Sequence, residues 1–106
     1  MISAVKLFRN GSLKIIEIDK NEDLDNLSTC INNGQTNIEE LDIIEMSNYS
    51  LKIVGSNNKH LLMENKHEIP IKYNNIYYGD LLLLKYSKDS VLKDFILEEY
   101  KQLLTI

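Results

Sequence analysis

The sequence is poor in the residues that cross-link small proteins or build common chemical sites. Cys30 is the only cysteine of the 106 residues, which excludes an intramolecular disulfide and a zinc site built from several cysteines. The four glycines are separated from one another, so the chain has no glycine-rich loop that could cradle a phosphate. A lone cysteine is typical of a reducing compartment, and we expect an intracellular, cytoplasmic protein.

Long hydrophobic runs and clusters of basic residues are also missing. The longest apolar run, Leu81 to Leu84, is far shorter than the roughly 20 residues that cross a bilayer. The first residues lack the basic and then apolar pattern of a signal peptide, so we expect neither export nor a membrane segment. The net charge is −4, and no group of Lys or Arg offers the positive patch that nucleic acid requires. Nucleic acid is therefore only a secondary candidate as a partner.

What remains is an ordinary globular composition. Hydrophobic residues make up 43% of the chain and charged residues 26%, which separates it from the compositions of disordered chains. A chain of this length has enough apolar surface for one core and too little for two. We therefore expect residues 1–106 to form a single globular domain.

An Asn-Gly pair near the N-terminus predicts a β-hairpin over residues 2–18. The apolar segments 2–8 and 13–18 flank Asn10-Gly11, a pair that accepts the positive φ angles of a type I′ turn. With a two-residue loop, Phe8 lies opposite Leu13 and Val5 lies opposite Ile16. Apolar side chains then occur on both faces of the hairpin, so each face is expected to be partly covered.

The middle of the chain gives weaker signals. Residues 24–31 have helical spacing but polar interruptions, so a short helix and a loop both fit. Residues 38–46 fit either a helix or a strand, because periodicity cannot decide over so short a stretch. The alternation over 49–54 predicts a strand, and residues 60–63 can pair back with it as the second arm of a hairpin.

The C-terminal third predicts a core strand and a helix. The segment Leu81–Tyr86, which opens with four consecutive leucines, predicts a central strand that is covered on both faces. From Val91 onward, apolar residues recur at helical spacing, and we expect Leu82, Leu83, Phe95 and Ile96 to share one core. The predicted fold class is α+β, with a mainly antiparallel sheet opened by the N-terminal hairpin and packed by the C-terminal helix. A β-grasp-like topology is one candidate arrangement.

Side chains that could carry chemistry lie mostly between residues 60 and 68. On a helix, offsets of 0, 4, 7 and 8 residues align four possible metal ligands, namely His60, Glu64, His67 and Glu68. The neighbouring Asn65 and Pro70 disfavour that helix. Cys30 with His60 or His67 has no third group that would orient the pair for catalysis. Asp80 and Glu64 could form a carboxylate pair, but any acidic protein contains such pairs. We therefore predict no catalytic residue, no metal and no cofactor, and a protein that is not an enzyme.

Tyrosines after the single proline indicate a contact surface. Pro70 cannot donate to a central β ladder, so we expect the segment 70–78 to be an exposed loop or edge. Tyr73, Tyr77 and Tyr78 offer large amphipathic contacts, which are common in protein interfaces. We predict that Pro70, Tyr73, Tyr77 and Tyr78 bind a protein partner. The alternatives are core tyrosines or rings that stack on nucleic-acid bases.

The segment from Glu64 to Pro70 (ENKHEIP), followed by Ile76 to Leu83 (IYYGDLLL), resembles a family of small uncharacterised proteins of large eukaryotic DNA viruses. In that family an Asn-Lys-x-Glu-x-Pro segment leads to an aromatic-Gly turn, an apolar strand and a final helix. This chain departs from the family in having one proline where several consecutive prolines are expected. The resemblance implies a viral structural or accessory protein in a host cytoplasm or virion. It brings no activity and no catalytic residues.

Overall fold

A computed structural model of the chain describes residues 1–19, 38–56, 63–70 and 75–105. These residues form eight strands and one helix. In chain order they are β1 (Ile2–Leu7), β2 (Leu13–Ile18), β3 (Ile38–Glu45), β4 (Tyr49–Ser56), β5 (Glu64–Asn65), β6 (Tyr77–Tyr78), β7 (Leu81–Ser87), β8 (Leu92–Lys93) and α1 (Leu97–Leu103).

One antiparallel sheet dominates the fold. Its strands follow the order β2-β1-β7-β4-β3, and β8 also pairs with β7. The short strands β5 and β6 form a second, two-stranded sheet. A mainly antiparallel sheet with one short C-terminal helix agrees with the predicted α+β class at that coarse level, whereas the β-grasp-like topology stays a prediction. The described residues include no helix that is long and apolar enough to cross a membrane.

The turn between β1 and β2 differs from the predicted two-residue turn. The amide of Gly11 donates to the Phe8 carbonyl (3.0 Å), and the Phe8 amide donates to the Ser12 carbonyl (2.9 Å). This is a three-residue loop with Gly11 at a φ of +96° in its last position, where glycine is favoured. The predicted register is therefore wrong by one residue, and Leu7 rather than Phe8 lies opposite Leu13.

Strand β7 is the buried centre of the sheet, as its apolar run predicts. Leu81 to Leu84 are all at most 1% exposed. Because side chains alternate along a strand, Leu81 and Leu83 join one apolar cluster while Leu82 and Leu84 join a second cluster on the other face. The prediction that Leu82 and Leu83 share one core is therefore wrong.

The C-terminal helix is shorter than the apolar stripe predicts. Residues 92–93 pair with β7 as β8, and the Phe95 amide donates to the Ser3 carbonyl at 2.9 Å. These bonds keep the backbone extended, so α1 begins only at Leu97. Phe95 is fully buried in the same cluster as Leu83, but Ile96 is 40% exposed and lies outside that core.

The undecided segment 38–46 forms the edge strand β3. It pairs with β4, whose other edge pairs with β7. Both edges of β4 are thus occupied. Of residues 60–63, predicted to pair back with this strand, only Met63 lies within the described part, and its carbonyl accepts a hydrogen bond from the Gly79 amide at 2.7 Å. The predicted helix or loop over 24–31, with Cys30, lies outside the described part.

Candidate functional site

Asn65 connects the two halves of the segment that resembles the viral family. Pairing of β5 with β6 places Asn65 opposite Tyr77. The buried Asn65 amide nitrogen donates to the carbonyls of Leu7 (2.9 Å) and Gly79 (2.8 Å), and its oxygen accepts from the His67 amide (3.1 Å). A buried amide with these bonds rigidifies its surroundings. The Asn of the resemblance is thus a structural anchor.

Asp80 is a second buried anchor. It is 1% exposed, and its carboxylate accepts a hydrogen bond from the Arg9 amide at 2.9 Å. Gly79, with a φ of +75°, supplies the turn that leads into β7. Asp80 therefore holds the β1–β2 loop against the start of β7, whereas its proposed carboxylate partner Glu64 is an exposed residue of β5.

Of the segment 70–78, which the proline predicts to be an exposed loop or edge, the structure describes Pro70 and residues 75–78. Pro70 and Tyr77 are both buried, Tyr78 is half-buried, and Tyr73 lies outside the described residues. Pro70 has no amide hydrogen, so its burial leaves no donor unsatisfied. Tyr77 turns its ring into the core and donates its hydroxyl hydrogen to the Asp42 carboxylate. Among the described residues of this segment, Asn75 and Ile76 are exposed, Ile76 at 61%.

The outer edge of β3 is the candidate contact site. Within the described ranges no strand pairs with this edge, since β3 ends the strand order. The pairing with β4 is interrupted between Glu40 and Asp42, where Leu41 is an extra, bulged residue. Because of this bulge, Leu41 packs toward the same face as Asp42.

A pocket of about 410 Å³ adjoins this bulge. Its wall combines apolar and polar groups from β3, the end of β4 and residues 75–78, namely Leu41, Asp42, Ser56, Asn75, Ile76, Tyr77 and Tyr78. The Asn75 amide donates to the Asp42 carboxylate at 2.9 Å, beside the Tyr77 hydroxyl. The pocket therefore presents a positioned carboxylate beside apolar side chains.

The opposite face of the same edge carries Ile43. Ile43 lies opposite Lys52 of β4 and is 41% exposed. Exposed isoleucines thus flank the edge, with Ile43 on one face and Ile76 at the pocket on the other. We name residues 38–45 and 75–78 together the β3 edge surface. Sequence reasoning missed its β3 half, although the mixture of acidic and apolar residues over 38–45 is the signal that indicates an edge strand.

A second groove, of about 540 Å³, lies between the β1–β2 loop, residues 63–68 and α1. Its lining includes Arg9, Lys66 and Lys101, but also Glu64 and Glu68, so neither sign of charge dominates. This mixture does not select one class of ligand.

Tyr100 closes the inner wall of that groove. Its hydroxyl donates to the Glu68 carbonyl at 2.7 Å. Burial, and secondarily the negative charge of Glu68, raises the pKa of Tyr100 from 10.0 to about 12. Tyr100 therefore stays protonated at neutral pH and serves as a structural anchor.

The described members of the weighed His60, Glu64, His67 and Glu68 group do not have the helical alignment that a metal site would require. Residues 64–65 are a strand and residues 66–69 are not helical, so Glu64, His67 and Glu68 do not share a helical face. His67 instead places its Nε2 atom 2.9 Å from the Ser12 carbonyl. His60 and Cys30 lie outside the described residues. In the described part of the chain, no group of three or more His, Cys, Asp or Glu is placed to hold a metal ion.

Three lysines place their ammonium groups over aromatic rings. The ammonium groups of Lys6, Lys52 and Lys85 lie 4.6, 4.3 and 4.7 Å from the ring centroids of Phe8, Tyr86 and Tyr49, respectively. Lys85 also contacts the Glu99 carboxylate at 2.7 Å. These three rings and three ammonium groups are thus engaged in contacts within the chain.

Comparison of the chain with protein-family models, with curated proteins and with solved structures found no match. The viral resemblance therefore stays a prediction.

Proposed function

We propose that this chain is a non-enzymatic protein-interaction module whose binding site is the β3 edge surface. The observation that carries the proposal is the outer edge of an eight-residue strand, flanked by exposed isoleucines on both faces. A strand edge offers backbone donors and acceptors to another chain, and exposed apolar side chains add area that a partner can bury.

A protein partner fits this surface better than nucleic acid does. Strand β3 carries Glu39, Glu40, Asp42 and Glu45 and no basic residue. Phosphate groups would be repelled by these carboxylates, whereas a polypeptide can supply complementary charge. The overall charge of −4 acts in the same direction.

The predicted tyrosines have different parts in this proposal. Tyr78, half-buried at the pocket wall, is proposed to contact the partner directly. Tyr77 supports the site from the core by holding the Asp42 carboxylate. Pro70, which is buried, is proposed only to fix the chain that leads toward Tyr73, whose predicted partner contact remains a proposal.

The cellular setting is proposed from sequence features alone. Asn, Ile, Lys and Tyr make up 43 of the 106 residues, a bias expected of an A- and T-rich coding sequence. Together with the resemblance of residues 64–83, this bias supports a viral structural or accessory protein. The lone cysteine supports an intracellular setting such as a host cytoplasm or a virion.

The test is quantitative capture of partners from the natural source by the parent and by two matched double variants. The first variant, Ile43→Ser with Ile76→Ser, removes the exposed isoleucines of the β3 edge surface. The second, Ile96→Ser with Met63→Ser, removes apolar side chains of similar exposure elsewhere: Ile96 and Met63 are 40% and 68% exposed, against 41% and 61% for Ile43 and Ile76.

We expect the first variant to lose partners that the second retains, with both melting temperatures close to that of the parent. Truncating an interface anchor typically costs more than 1 kcal/mol of binding, so losses of about tenfold are measurable. Equal retention by both variants, or loss only with the second, contradicts the proposed site.

A further inference from the structure

We infer that the β3 edge surface binds an extended basic segment of another polypeptide, which adds a strand to the sheet and places a Lys or Arg side chain in the pocket at Asp42. This inference rests on the proposed function and names its partner class.

The regular part of the edge sets where such a strand can pair. Residues 42–45 pair with β4 in unbroken register, from Asp42 opposite Ile53 to Glu45 opposite Ser50. In this stretch the outward amides and carbonyls alternate as in any antiparallel strand. The bulge at Leu41 interrupts the register, so an added strand pairs over residues 42–45 and reaches the pocket where regular pairing stops.

The pocket suits a long cationic side chain. Asp42 supplies negative charge at its wall, and Leu41 and Ile76 supply apolar contacts for an aliphatic stem. The Asn75 amide and the Tyr77 hydroxyl hold the carboxylate in place. A carboxylate has about four lone-pair sites, so it can accept a cation besides the contacts that Asp42 already makes with these and other groups. Since side chains alternate along a strand, the next residue of the partner would face Ile43.

The negative charge of β3 favours a basic segment as its partner over a second copy of this chain. Between described residues, Glu40 forms an ion pair with Lys52 (3.2 Å) and Glu45 forms one with Lys88 (3.5 Å). These pairs are exposed enough to exchange with a partner's cations at little cost. Pairing of β3 with another β3 would instead bring eight carboxylates to one pair of strands, which is unfavourable.

The experiment measures binding of a short probe peptide, acetyl-Val-Lys-Val-Arg-Val-Lys-Val-amide, to the full chain by fluorescence or calorimetry. Two probe isomers carry N-methyl groups on alternate sets of backbone amides, which removes strand pairing on one edge without changing charge. A third probe replaces Lys and Arg by Glu. We expect the parent protein to bind the basic probe, and one N-methylated isomer to bind with the same affinity. The other isomer and the acidic probe should bind at least about tenfold more weakly.

Matched charge reversals locate the site. Glu39→Lys changes an exposed residue of β3, and Glu17→Lys makes the same change on an exposed residue of β2 at the far side of the sheet. We expect Glu39→Lys to weaken the basic probe about tenfold and Glu17→Lys to change it less than about twofold.

Three results overturn the inference: equal losses with both reversals, full binding of both N-methylated isomers, or dimerisation of the parent that Glu39→Lys abolishes. If capture of partners depends on Ile43 and Ile76 while no basic probe binds, the proposed function stands and only the strand-addition inference fails. If the probe binds as expected but capture is unaffected by the isoleucine variants, the proposed function fails for the natural partner.

Discussion

Buried polar side chains fasten the loops of this protein to its sheet. Asn65 bonds to Leu7, 58 residues earlier in the chain, and Asp80 bonds to the Arg9 amide, 71 residues earlier. Sequence patterns do not reveal such partners, because the pairing depends on a fold that brings distant segments together. In the sequence, Asn65 and Asp80 are only members of the segment that resembles the viral family. In the structure, their hydrogen bonds hold distant segments together.

Tyr100 gives a residue-scale prediction with a defined pH window. Its folded pKa of about 12 exceeds the ordinary value of 10.0, so the stability that its neutral form contributes is fully present below pH 10. That contribution is lost as the pH rises from 10 to 12, by about 2 kcal/mol at the upper end. Tyr100→Phe cannot ionise and loses only the bond to the Glu68 carbonyl, worth about 1 kcal/mol.

Urea unfolding of the parent and of Tyr100→Phe at several pH values measures this difference. The parent should be the more stable protein at pH 8, and the order should reverse near pH 12. Stability curves that stay parallel across this range contradict the assignment.

At the scale of elements, the spacing of apolar residues predicts a strand or helix correctly where no bulge or tertiary contact interrupts that spacing. The segment Leu81–Tyr86 predicts β7 because burial on both faces leaves consecutive apolar residues, here four leucines. Residues 38–45 remained undecided because the bulge at Leu41 breaks the alternation of β3. The helical spacing of Leu92 and Phe95 predicts a longer helix than α1, because pairing with β7 and the bond to Ser3 keep this stretch extended.

Phe95 and Ile96 lie just before α1, and alanine substitutions at these adjacent residues should differ sharply in their cost to stability. Phe95→Ala should cost about 3–5 kcal/mol, because the ring is fully buried and its removal leaves a cavity. Ile96→Ala should cost less than about 1 kcal/mol, since Ile96 is an exposed residue that precedes the helix. Chemical denaturation of the two variants checks both values. Similar losses in both would contradict the boundary placed between the extended stretch and α1.

At the scale of the whole molecule, the sheet buries apolar clusters on both faces and carries acidic side chains along its β3 edge. The sequence pointed to residues 70–78 as a contact segment, and Ile76 and Tyr78 do line the pocket there. It could not indicate β3 as the other half, because Asp42 and Tyr77 are 35 residues apart and meet only through tertiary structure.

Hydrogen–deuterium exchange of the complex recovered by partner capture tests the central claim most directly, because it reports which backbone amides a partner covers. The account predicts slower exchange on binding at residues 42–45 of β3 and at residues 75–78, with no change in β2 (Leu13–Ile18) at the other end of the strand order. Protection confined to β2 or to the groove around Arg9 and His67, with unchanged exchange in β3, would contradict it.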